Sequence, residues 1–140
     1  MRFYSRLLKV ASAALLIVTM TSCSSKKDFI LSPVVPAAKG HVLIDKDKNE
    51  NYSIRIQIMN LPEAVRVTSH NSTYVVWMET SDDTKKIGQI VSSKGLLSKT
   101  PKASLETRTA FKPTKIFITA EKNGNLQHPE SEVVISTERF

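Results

Sequence analysis

The stretch 52–59 constrains the fold more than any other. Its residues, Tyr-Ser-Ile-Arg-Ile-Gln-Ile-Met, set Ile54, Ile56 and Ile58 on one side of an extended chain and Arg55, Gln57 and Met59 on the other. Side chains alternate across a strand with a period of two, so this pattern reads as a half-buried strand; on a helix the three isoleucines would scatter around the axis. Similar runs recur. Residues 41–44 open a strand and 45–51 make a polar connection. Residues 64–68 suggest a further strand. Residues 73–80, Thr-Tyr-Val-Val-Trp-Met-Glu-Thr, are the most apolar and β-prone, which places them centrally with Trp77 as core anchor. Residues 86–92 carry Ile87 and Val91 on alternate positions, with Gly88 as a bulge or close contact. Over 102–109, Ala103, Leu105 and Thr107 oppose Ser104, Glu106 and Arg108. Residues 115–120 turn Ile116 and Ile118 inward, 122–125 form a turn with Gly124 expected at positive φ, and 132–137 close with Val133 and Ile135 inward. Seven or eight short strands at such spacing argue an all-β domain, an antiparallel β-sandwich over 40–140, because one sheet alone would leave an apolar face in water.

The chain begins differently. Arg2, Arg6 and Lys9 precede an apolar run over 10–20, which ends at Met20-Thr21-Ser22-Cys23. Eleven helical residues reach about 16 Å, well short of a ~30 Å hydrocarbon core, so this is a signal segment and not a membrane span. The arrangement resembles the signal of bacterial lipoproteins, with Met20 where leucine is usual. That resemblance implies a diacylglyceryl group on the Cys23 sulfur, cleavage before Cys23 and acylation of the new amine; ordinary signal peptidase cleavage nearby is the alternative. Cys23 is the only cysteine, which excludes an internal disulfide and a cysteine-cluster metal site. No cofactor is expected beyond the covalent lipid. The expected organisation is a signal peptide over 1–22, a lipidated cysteine and flexible tether over 23–39 with Pro33 and Pro36, and the sandwich from 40. Ser24 after the cysteine resembles lipoproteins sorted to the outer membrane. Lys26-Lys27-Asp28 resembles the export signal of surface lipoproteins in Bacteroidetes-type bacteria, or is a solvated spacer. The expected address is the cell envelope, by a lipid anchor, at the outer more than the inner membrane, facing periplasm or surface.

Charge is unevenly spread. The whole chain is +7, but three basic residues lie in the leader. Residues 85–115 contain eight basic residues against Glu106 alone, whereas 39–84 and 116–140 are each net −2. Lys94, Lys99, Lys102, Arg108 and Lys112 are therefore candidates for a surface facing an anion: a lipid headgroup, an acidic glycan or an acidic envelope protein. The competing reading is that these lysines protect strand edges from aggregation. Aromatic residues are not interleaved with them, which argues against nucleic acid.

Other candidate chemistry is thin. Asp45-Lys-Asp-Lys-Asn-Glu50 looks like the start of a calcium loop, but Glu50 stands where glycine is needed and Ile56 where the closing glutamate belongs. It reads as a solvated hairpin. His41, His70 and His128 follow no ligand or triad spacing. No metal site and no catalytic residues are expected, and the chain reads as a non-enzyme. Asn71-Ser72-Thr73 is a glycosylation pattern that reads as a turn. Oligomeric state is not legible.

One further resemblance covers about half of the chain. Tyr74-Val75-Val76-Trp77, then Gly88, Phe117-Ile118-Thr119-Ala120-Glu121, and Pro129 before Glu132-Val133-Val134-Ile135 resemble the extracytoplasmic C-terminal domain of anti-sigma-K factors. Glu130-Ser131 departs from the serine-glycine usual there. The resemblance implies a small extracytoplasmic β-sandwich with a binding or sensing role and no catalytic residues. It does not imply sigma-factor sequestration, the task of a helical domain with no counterpart in this sequence. The expected function is a non-catalytic binding module anchored at the envelope, or an accessory part of an extracytoplasmic sigma-factor stress-signalling system.

Overall fold

Two antiparallel four-stranded sheets make up the computed structural model, which describes residues 24–95 and 98–140. In chain order the elements are β1 (Ser25–Asp28), β2 (Lys39–Lys46), β3 (Tyr52–Met59), α1 (Ala64–Val67), β4 (Thr73–Glu79), β5 (Thr84–Ile90), β6 (Lys102–Thr109), β7 (Lys115–Glu121) and β8 (Val133–Ser136). One sheet has the order β1-β2-β3-β6, the other β5-β4-β7-β8. Hairpins β2–β3, β4–β5 and β7–β8 stay within a sheet, while the chain changes sheets after β3, β5 and β6. This is the expected all-β sandwich.

The core lies between the sheets. Val42, Ile44, Ile54, Ile56, Ile58 and Ala103 come from one, and Tyr74, Val76, Met78, Ile90, Ile116, Ile118 and Ile135 from the other; all are buried. Burial of this much apolar surface is the main force holding the layers together. Arg55, Gln57, Ser104, Glu106 and Arg108 occupy the solvent face of the first sheet, as their alternation requires.

Several expectations are corrected. Trp77 is fully buried but lies outside the inter-sheet core. It is on the opposite face of β4 from Tyr74, Val76 and Met78, in a second cluster with Val75, Phe117 and Leu126. Residues 64–67 form a helical turn and not a strand, since Ala64 alone of them is buried and period two is not needed there. Val133 is exposed, whereas Val134 and Ile135 are both buried, because the β7–β8 register slips between Ile118 and Thr119. A second slip, opposite Val76 and Trp77, puts Ile90 inside and leaves Val91 at 74% exposure. Gly88 does lie beside that irregularity, and a Cβ there would come 2.9 Å from the Leu105 methyls. No described glycine has positive φ; Glu50 (65°) and Asn60 (59°) do, each just after a turn or strand end where the chain reverses.

The 24–39 segment is not a free tether. β1 pairs with β2, Phe29 bridges to Thr137, and the Ile30 N–H donates to the Ser136 carbonyl. The Ser32 hydroxyl donates to the Val134 carbonyl and accepts from the Val34 and Val35 N–H groups at 3.1 and 3.0 Å. Val35 and Ala38 are buried in the core. Pro33 and Pro36 do not keep it extended: residues 33–37 bend and turn, closed by the Ala38 N–H donating to the Val35 carbonyl at 2.9 Å, as the segment crosses from the edge of one sheet to the edge of the other.

The register defines two ends. Ser25 pairs with Ile44, Ile44 with Ile54, and Ile54 with Thr107. The start of β1 therefore shares one end with the β2–β3 and β4–β5 hairpins, the 110–114 loop and Phe140; we call this end proximal. The distal end carries α1, the start of β6 and residues 91–95 and 98–101.

Candidate functional site

The structure places the five basic candidates at both ends. Lys102 pairs with Met59 at the distal end and Arg108 with Ser53 at the proximal end. Six residues of strand separate them, about 20 Å. Lys94 and Lys99 join Lys102, and Lys112 lies in the proximal 110–114 loop. All five are exposed, and none makes an ion pair among the described residues. The segment thus does not form one surface. β5 and β6 are edge strands of their respective sheets, so much of its charge lies where exposed backbone groups would otherwise invite strand addition. Three of its other cations are engaged: Lys85 with Asp83 at 3.4 Å, Lys115 with Glu79 at 3.6 Å, and Lys86 with the Gly124 carbonyl at 2.9 Å.

At the distal end a cleft of about 310 Å³ runs between Asn60, Pro62, Arg66, Ser92, Lys94 and Pro101. Its walls are built by local constraints. Asn60 donates its N–H to the Pro101 carbonyl at 2.8 Å, and Ser93 and Lys102 exchange backbone bonds at 3.0 and 2.9 Å. Tyr74 reaches up from the core to give its hydroxyl proton to the Pro62 carbonyl at 2.9 Å, and burial pushes that phenol up to about 12. Arg66 is partly neutralised by Glu63 at 3.6 Å. The lining also includes Ala37, Glu63 and Ser93, and the Ser92 hydroxyl is spent on the Leu61 carbonyl, so Lys94 is the cation the cleft offers without an ion-pair partner among the described residues.

The calcium-like run is a hairpin whose acids serve the protein. Asp45 pairs with Arg55 at 2.5 Å, Lys46 with Glu50 at 2.8 Å, and Asp47 Oδ1 accepts from the N–H groups of Asn49 and Asn51 at 2.8 and 2.9 Å. The Asn51 and Asn49 N–H bonds hold the Asp47 carboxyl below the usual aspartate range, and Lys46 does the same for Glu50. His41 lies on β2, His70 before β4 and His128 in the 122–132 loop. No group of three metal-ligating side chains is assembled among the described residues. The sequon's Asn71 is buried, with its amide donating to the Ala120 carbonyl. Cys23 lies outside the described residues.

Sequence reasoning missed a buried polar cluster on the outer face of the second sheet. The Trp77 indole N–H donates to Thr119 Oγ1 at 2.8 Å, and that hydroxyl donates to Glu121 Oε1 at 2.7 Å. Glu121, 1% exposed, also accepts from the Glu130 and Ser131 N–H groups at 3.1 and 3.2 Å and from the Ser131 hydroxyl at 2.8 Å. Burial opposes its ionisation, but these donors outweigh burial and hold the carboxyl below the usual glutamate range. The signal was present: Trp77, Thr119 and Glu121 alternate outward on adjacent strands, and all three belong to the stretches quoted above for the anti-sigma resemblance. The cluster fixes the 122–132 loop over the sheet. Every buried polar side-chain atom described has a partner, which fits a structural role.

Searches of protein families, of characterised proteins and of solved structures find no match to this chain.

Proposed function

We propose that this chain is a lipid-anchored lipoprotein of the cell envelope whose β-sandwich is a non-catalytic binding or sensing module. The observation that carries the reading is Cys23, a lone cysteine at the end of a basic-then-apolar leader. The position of β1 supports it. The first described strand begins at Ser25, so cleavage before Cys23 leaves every described element intact. A partner with anionic groups, a glycan or an acidic envelope protein, fits the distal end, where Lys94 lines the cleft and Lys99 and Lys102 lie nearby, an end that an anchor at residue 23 would turn away from the membrane.

Fractionation of cells producing the wild type or Cys23→Ala, followed by protease treatment of intact cells, tests the address. The wild type should sediment with membranes and the variant should be released or accumulate with its leader uncut. Equal distribution of the two proteins would contradict the reading. Digestion in intact cells would specify surface display, and protection would specify the periplasmic face.

A further inference from the structure

We propose that the proximal end of the sandwich docks on the bilayer through the 110–114 loop, with Phe111 entering the headgroup layer, so that the domain stands end-on. The inference rests on the proposed lipid at Cys23.

Its first support is chain length. Only Ser24 separates Cys23 from β1, and two residues of extended chain reach at most about 7 Å. β1 itself is fixed, by its ladder to β2 and by the Phe29–Thr137 bridge. A lipid on residue 23 therefore has no spacer on which the domain could swing away, and the end bearing Ser25 is held at the membrane surface. The 110–114 loop lies across the same sheet, three strand spacings from β1, about 14 Å.

The second support is the loop's construction. Thr114 donates its N–H and its hydroxyl to the Glu79 carbonyl at 2.8 and 3.1 Å, Pro113 is buried, and the Phe111 N–H donates to Thr109 Oγ1 at 3.2 Å. On this rigid support the Phe111 ring is 51% exposed. The Lys85 ammonium lies 4.5 Å from the ring centroid, and Lys112, without an ion-pair partner among the described residues, follows Phe111 in the chain. Lys85 is shared between this ring and Asp83, so Lys112 is the cation placed for phosphates; an exposed aromatic ring beside it suits the boundary between headgroups and acyl chains, where the ring is buried. The β4–β5 turn at the same end carries Asp82 and Asp83 and the β2–β3 hairpin carries Asp47 and Glu50; anionic headgroups repel these carboxylates where no lysine offsets them, as Lys85 does Asp83 and Lys46 does Glu50, which leaves the 110–114 loop as the point of contact.

The test uses the membrane-extracted protein in vesicles of phosphatidylethanolamine and phosphatidylglycerol, with and without brominated acyl chains. Trp77 is buried within the fold and gives a constant background. Two variants add one indole each: Phe111→Trp at the proximal end and Val91→Trp at the distal end. Both sites are exposed, so circular dichroism should match wild type. Brominated lipid should remove most of the emission added by Phe111→Trp and none of that added by Val91→Trp. Equal quenching of both, quenching of Val91→Trp alone, or no quenching of either overturns the proposal. So does a blue-shifted Phe111→Trp emission insensitive to bromine, which would place a protein or a second copy there. Intact mass of the same samples separates the two layers of inference. Acylated protein with an unquenched loop refutes the docking alone, whereas unacylated protein refutes the anchor and the docking with it.

Discussion

Glu121 shows how one side chain can organise a loop. A carboxylate this buried survives as an anion because five donated or relayed hydrogen bonds converge around it, from Thr119, Ser131 and the 130–131 backbone, with the Trp77 indole behind Thr119. Its pKa is depressed in the folded chain, so its contribution to stability is complete above the unfolded value and is lost as pH falls through the folded one. Glu121→Gln should lower stability by roughly 2 kcal/mol at neutral pH, since charged hydrogen bonds become neutral ones and one amide proton faces donors. It should also flatten part of the acid limb. Urea midpoints measured from neutral pH to about pH 3 check both; Asp47, Glu50 and Asp83 are lowered too and should keep the remaining slope. Trp77→Ala should cost ~3–5 kcal/mol despite lying outside the main core, because the cavity and the lost indole hydrogen bond to Thr119 add. A melting temperature near wild type would contradict that packing.

At the scale of elements, regular alternation was legible and its interruptions were not. β3 and β6 run over the residues their patterns marked, with Ile54, Ile56 and Ile58 inside as expected. Val133 and Val91 were misassigned because a bulge shifts every later side chain to the other face, and bulges are set by the neighbouring strand. β1 was missed because Ser-Lys-Lys-Asp has no apolar alternation; its pairing with β2 is decided across space. The outward alternation of Trp77, Thr119 and Glu121 was in the sequence, but the Glu130 and Ser131 donors that complete the cluster were not legible, because they lie nine or ten residues ahead, in a loop. Two glycines give contrasting predictions. A Cβ on Gly40 would meet the Gln57 carbonyl oxygen at 2.2 Å and Ile58 Cα at 2.8 Å, both backbone. A Cβ on Gly88 meets only the flexible Leu105 side chain. Gly40→Ala should therefore cost about 3 kcal/mol and Gly88→Ala about 1 kcal/mol, by denaturant unfolding. A chain starting at Gly40 should melt well below one starting at Ser24, since it loses β1, Val35 and Ala38; equal melting would return 24–39 to the status of a spacer.

For the whole molecule, what matters is that its two ends differ. The distal end gathers Lys94, Lys99, Lys102 and the Arg66-lined cleft; the proximal end carries Phe111, Lys112 and the start of β1. Reversing the charge of Lys94, Lys99 and Lys102 to glutamate should leave membrane partition of the anchored protein unchanged, because these residues face away from the bilayer, while weakening capture on a cation-exchange or acidic-glycan matrix. The account stands on the modification at residue 23, and intact mass of the membrane-extracted protein tests it most directly. The account predicts a polypeptide beginning at Cys23 whose mass exceeds that of residues 23–140 by a diacylglyceryl group and an acyl chain. A chain that retains residues 1–22, or one cleaved elsewhere with an unmodified thiol or none, would contradict it.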